Sequence, residues 1–90
     1  VSVEQDVMDV LRENEGSTAA EVAWFLMKRY TSAADQLFAY NRANIRLIEL
    51  RKKLRVFTSD DARLPKRKCA ITHKPARTWF TTASLPQAAP

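Results

Sequence analysis

Between Ala33 and Leu64 the chain contains neither glycine nor proline. Such a run lacks the two residues that punctuate backbone most strongly, so it folds as long helix or breaks only where polar side chains compete for the backbone. Within it lies NRANIRLIELRKKLRV (41–56). Its Ala43, Leu47, Leu50 and Leu54 recur at spacings of four, three and four, the repeat of one helix face. Arg42, Arg46, Glu49 and Lys53 are expected opposite that face, with Ile45, Ile48 and Lys52 on the flank. A single helix over 33–55 would be about 34 Å long. A bend near Tyr40–Asn41 would instead give a short helix over 33–39 and a second over 42–54. The bend is the expected form, because the Asn41 side chain competes for local backbone hydrogen bonds and tolerates turn geometry. The two isoleucines are expected to complete the core; a groove of thymine methyls or a partner subunit are the alternatives.

The residues before this run predict two shorter helices. Val3, Val7, Val10 and Leu11 share a face over 3–14, and Ser2 and Gln5 have capping-box spacing. Gly16, the only glycine, stands where that helix should stop in a left-handed cap. Its acidic outer face (Asp6, Asp9, Glu13) should point away from a polyanion. Thr18 and Glu21 repeat the capping-box spacing ahead of a helix over 19–30, whose stripe is Ala19, Val22, Ala23, Leu26 and Tyr30. Trp24 lies off that stripe and is expected beneath the following loop or the wing, with an exposed interface aromatic as the alternative. Ser32 can cap a third helix, with Asp35 in its first turn.

After Leu54 the period changes. RVFT (55–58) is a short strand candidate, and Ser59-Asp60-Asp61 signals a turn closed by Pro65. RKCAIT (67–72) and RTWFTT (77–82) are β-prone runs separated by His73-Lys74-Pro75-Ala76, which predicts a hairpin. The last residues, 83–90, include SLPQAAP and are expected to be a disordered tail. Ninety residues make one domain, 1–82.

Charge points to the partner. Residues 1–50 carry five Lys/Arg against eight Asp/Glu, whereas residues 51–90 carry ten against two. A basic half on a small chain favours a polyanion. Enzyme chemistry has little material: one Cys and one His stand four apart, too few for a structural zinc site, and no glycine-rich phosphate loop exists. Cys69 is expected as a small buried hydrophobe and His73 as a polar turn residue. No enzyme activity, cofactor, metal or small-molecule substrate is expected. The lone cysteine suggests a reducing compartment, hence a cytoplasmic location. No apolar run is long enough for a membrane span, and VSVEQDV lacks the apolar region of a signal peptide.

Three stretches carry a resemblance. VMDVLRENEGSTAAEVAWFL, then IELRKKLRVF, then KRKCAITHKPARTWF are similar to the winged helix-turn-helix domains of bacterial and phage regulators. In that family a first helix ends in a Gly-Ser/Thr turn, a second opens on Thr-Ala-x-Glu-[Val/Ile]-Ala, and a third runs into a basic hairpin. The likeness spans about Val3–Phe80 and departs from the pattern in a link between helices two and three about ten residues longer, Tyr30–Tyr40. It implies an α+β winged helix: a three-helix core followed by a small antiparallel β-hairpin wing. The implied partner is double-stranded DNA, with the chain acting as a transcriptional, phage or mobile-element regulator.

Base contacts are expected from Asn41, Arg42, Asn44 and Arg46, since Arg pairs with guanine and Asn with adenine. Phosphate contacts are expected from Arg51, Lys52, Lys53 and Arg55 at the helix end, and from Lys66, Arg67, Lys68, Lys74 and Arg77 on the wing. Two other readings stand beside this one. The winged helix could serve as a protein-interaction module for an acidic partner. Trp79 and Phe80 could stack RNA bases. A homodimer or a monomer are both open.

Overall fold

The computed structural model of the chain describes residues 3–82. The Ser2 half of the first capping box and the expected tail over 83–90 lie outside them. Helix α1 is Val3–Glu13, with Val3, Val7, Met8, Val10 and Leu11 buried. It stops short of Gly16, whose φ of 83° is the left-handed region that glycine enters without a Cβ clash. The Gly16 amide donates to the Trp79 carbonyl at 2.9 Å, so this turn also opens a strand, β1 (Ser17–Thr18). Two residues are too few for a periodic signal, and β1 was not expected.

Helix α2 is Ala19–Met27, and the Thr18–Glu21 capping box is complete. The helix is shorter than the expected 19–30. Arg29 and Tyr30 donate to carbonyls three residues back, a tight last turn rather than continued α-helix. The Tyr30 hydroxyl donates to Asp6 at 2.5 Å and ties this end to α1.

Helix α3 is Ala33–Lys52, capped by Ser32, whose hydroxyl accepts from the Asp35 amide. The expected bend at Asn41 does not occur. Ala39, Ala43, Leu47 and Leu50 form one fully buried stripe through it. A break would forfeit ladder hydrogen bonds and split that stripe, and a single Asn side chain offers too little in exchange. The long link of the resemblance is therefore α3's own first two turns.

The faces of α3 change accordingly. Arg46 and Glu49 are half-buried on the flank, while Ile45 and Ile48 are 45% and 43% exposed. The isoleucines do not complete the core. They lie opposite it, in line with Ala34, Phe38, Asn41 and Lys52, all exposed. The expected core face of Ala43, Leu47 and Leu50 is the buried one; opposite it lie Ile45, Ile48 and Lys52, not Arg42, Arg46 and Glu49 as expected. Leu54 lies beyond the helix, is 81% exposed and has φ 60°. The Arg55 amide donates to the Leu50 carbonyl and the Leu54 amide to that of Arg51, both at 3.0 Å. This is the Schellman stop, with leucine where glycine is usual. Leu54→Gly is expected to raise the unfolding free energy by about 0.5 kcal/mol, because relief of left-handed strain exceeds glycine's entropy cost. Chemical denaturation measures it; a loss of stability would show that Leu54 packs usefully.

The strands close the fold. β2 is Val56–Thr58, β3 Arg67–Lys68, β4 Pro75–Ala76 and β5 Thr78–Thr81. The main sheet has the order β1-β5-β2, antiparallel throughout, with Trp79 facing Ser17 on one side and Thr58 on the other. The expected hairpin of two long runs is thereby corrected. TWFT pairs with β1 and β2, and only Arg67↔Ala76 and Lys68↔Pro75 pair across the hairpin. Burial is the reason. On β5, Trp79 and Thr81 face inward, and Trp79 joins the helical core, which the main sheet permits and a solvent-exposed hairpin does not. Phe80 faces the other way and stacks on Phe57 at 5.2 Å between ring centres. With Trp79 inside, the two aromatics form no stacking platform. Among the described residues no helix is long and apolar enough to cross a membrane.

Candidate nucleic-acid interface

The candidate phosphate contacts divide by what already holds them. Arg51 makes two bonds to Asp61, at 3.0 and 2.6 Å, and Asp61 also accepts from the Thr58 amide at 2.9 Å. The Arg51 guanidinium, with Thr58, holds the Asp61 carboxyl down at about 2. Asp61 is thus a turn builder, as its sequence position suggests. Lys53 reaches Glu4 at 3.2 Å, and Arg77 reaches Asp60 at 3.6 Å. Arg67 is bound to Glu21, whose side chain is 8% exposed. Lys52, Arg55, Lys66, Lys68 and Lys74 are exposed and have neither carboxylate nor aromatic partner among the described residues.

Arg63 belongs with this last group and was missed. It occupies a left-handed position (φ 57°) in the turn after β2 and is exposed. Its charge alone could have included it. These partnerless cations all fall within residues 52–74, whereas the Lys and Arg side chains before Arg51 face a carboxylate or an aromatic ring.

The candidate base contacts fare differently. Asn41 and Asn44 are exposed on α3. Arg42 lies over the Phe38 ring at 5.1 Å, and Arg46 bonds Glu49 at 2.8 Å. Asn44 and Ile48 line a small cleft of about 230 Å³ with Ala19, Arg77 and Trp79. The Trp79 indole N–H is buried without a protein partner among the described residues.

The hairpin does not stand free. Its first strand and turn are fastened to the start of α2. Arg67 donates to the Gly16 carbonyl at 3.0 Å and to the Glu21 carboxylate. The other Glu21 oxygen accepts from the Ala70 amide at 2.8 Å. Thr18 Oγ1 and Cys69 Sγ meet at 3.0 Å. Glu21 therefore serves two elements, capping α2 through the Thr18 amide and latching the hairpin. Burial alone would raise its pKa; the bonds from Arg67, Ala70 and Thr18 outweigh it and hold the carboxyl below its ordinary value. The capping spacing identified Glu21, but its second role depends on a residue 46 positions away.

Cys69 is buried as expected, with its thiol lowered: burial pushes it up, and bonds from Thr18 and the 71–72 turn overcome that. His73 sits in the exposed turn at φ 60°. Trp24, expected under a loop or the wing, is 39% exposed with Lys28 over its ring at 5.1 Å. It lines an open cleft of about 390 Å³ with Met27, Leu37, Tyr40 and Ile71.

Comparison with protein-family models, curated proteins and solved structures finds no significant match to this chain.

Proposed function

We propose that this chain binds duplex DNA through the phosphate backbone, as a winged-helix module with a basic wing. The observation that carries the reading is the segregation of partnerless cations. Lys52, Arg55, Arg63, Lys66, Lys68 and Lys74 lie within one stretch, while Asp6, Asp9 and Glu13 of α1 are engaged by Tyr30, Arg12 and Arg29. Cations without a carboxylate partner can release phosphate counterions without first breaking an ion pair. The architecture, three helices with a small antiparallel sheet, is compatible with a winged helix.

Base readout by Asn41, Arg42, Asn44 and Arg46 is left out of the proposal. Two of the four are engaged within the chain, and the outward face of α3 is more apolar than a groove-reading helix needs. The expected behaviour is tight binding at low salt with little sequence preference.

Titration of labelled duplexes at 50 and 200 mM salt tests this. If the six cations each neutralise a phosphate, log K falls with log salt at a slope of about −5. The triple variant Lys66→Ala, Lys68→Ala, Lys74→Ala should flatten that slope by about 3 for every duplex, while Arg46→Ala leaves it unchanged. Absence of binding at low salt would refute the reading. Loss of preference for one sequence in Arg46→Ala would restore base readout.

A further inference from the structure

Apart from Lys52 at its end, the outward face of α3 has no role in the proposed contacts, and its spacing is specific. Ala34, Phe38, Asn41, Ile45, Ile48 and Lys52 follow one another at intervals of four, three, four, three and four. All six are exposed, Phe38, Ile45 and Ile48 at 50, 45 and 43%. They lie opposite the buried stripe of Ala39, Ala43, Leu47 and Leu50. One helix thus carries two apolar faces. The inner one packs within the chain, and the outer one has the alternating three-four step of a coiled-coil seam. A single solvated face would not place its large apolar side chains on that step.

We infer that α3 pairs with α3 of a second copy, antiparallel, along this seam. A seam with this step is matched by a helix with the same step, and another copy of the chain supplies one. Charge sets the direction. The edge positions Asp35, Arg42 and Glu49 alternate in sign, one heptad apart. An antiparallel copy whose two-fold axis passes between Ile45 and Ile48 sets Ile45 against the other Ile48 and Arg42 against the other Glu49, with helix-to-helix contact over 41–52 and Phe38 just past the end of the other α3. Glu49 already holds Arg46 within the chain, so the new pair extends an existing one. A parallel copy would instead bring Lys52 against Lys52, and the two basic stretches over 52–74 would lie at the same end. Antiparallel pairing separates those stretches to opposite ends, which minimises their repulsion. Asn41, the one uncharged polar residue of the seam, lies towards the end of the contact against the other Lys52, where water reaches both.

The pairing shares only Lys52 with the DNA reading and is tested without DNA. Sedimentation equilibrium of the full chain should show a mass rising with concentration to twice that of one chain. Ile45→Glu, which truncates nothing in the monomer core, should weaken association more than tenfold while the circular dichroism spectrum stays unchanged and the melting temperature loses its dependence on concentration. Leu64→Ser, an exposed leucine away from α3, should leave association unaffected. Direction is read by disulfide trapping. Chains bearing Ile45→Cys mixed with size-tagged chains bearing Ile48→Cys should crosslink to each other, and neither should crosslink alone. Buried Cys69 does not compete. A single-chain mass up to millimolar concentration would overturn the inference, as would a dimer indifferent to Ile45→Glu. Crosslinking of either variant with itself would overturn the antiparallel arrangement.

Discussion

Asn41→Pro should lower the unfolding free energy by about 3 kcal/mol or more. Asn41 is exposed in the interior of α3, so the substitution removes no core contact. Its whole cost comes from the backbone: the amide that bonds the carbonyl four residues back is lost, and the proline ring collides with that carbonyl. In a domain of this size about 3 kcal/mol corresponds to a fall of roughly 12–24 °C in melting temperature. It is also a large part of a typical margin of about 5–15 kcal/mol. Asn41→Ala serves as the control and should be neutral or slightly stabilising, since alanine is the better helix former. Thermal melts of the pair decide the matter. A proline variant within about 1 kcal/mol of the parent would mean that α3 bends at residue 41 after all.

Glu21→Ala has the second-largest expected effect, a loss of about 2–3 kcal/mol. The carboxylate accepts from the Thr18 and Ala70 amides and from Arg67, so one truncation removes a helix cap and the hairpin latch together. Arg67 is itself about half exposed and regains water, which keeps the cost below that of breaking a fully buried ion pair. Arg67→Ala should therefore cost less than Glu21→Ala, and a double-mutant cycle should give a clear coupling between them. The carboxylate also imposes a pH dependence. Its folded pKa lies below the ordinary value, so its stabilisation is complete above the unfolded pKa and is lost as pH falls through the folded one. Glu21→Gln should retain part of the stability at neutral pH and show a weaker decline on the acid side. An unchanged acid limb in that variant would show that Glu21 is not the group responsible. Amide exchange should report the hairpin separately: protection at Ala70 should collapse in Glu21→Ala even under conditions where α1 and α3 remain folded.

The two predictions mark where sequence reading succeeds and where it stops. Thr18 and Glu21 were recognisable as a capping box because both partners lie within one helical turn. The latch on Arg67 was not, because nothing local in RKCAIT signals which helix end it will meet. The same division holds in α3. The absence of glycine and proline allowed a continuous helix, yet local polarity at Asn41 favoured a bend. The buried alternation of Ala39 and Ala43 carries weight only when α1 and α2 supply surfaces for it.

The candidate site divides in the same way. The concentration of cations after residue 50 is a property of the sequence, and so is the capacity of those side chains to meet phosphates. Which of them remain available is not. Arg51, Arg67 and Arg77 look identical in sequence to Arg55 and Arg63, but folding brings acidic groups to the first three. Ile45 and Ile48 likewise have the composition of core residues and were placed outside only by the phase of the helix.

Local chemistry by itself established the helical character of 3–13, 19–27 and 33–52, the caps at Thr18 and Ser32, the left-handed turn at Gly16 and the basic character of the second half, because each depends on residues a few positions apart; that 33–52 is one helix was decided by packing. The strand order, the short hairpin, the latch at Glu21 and the exposure of Ile45 and Ile48 required the assembled chain. Those features arise from contacts between residues tens of positions apart, where burial of Trp79, Leu47 and Leu50 outweighs any local preference about which run pairs with which.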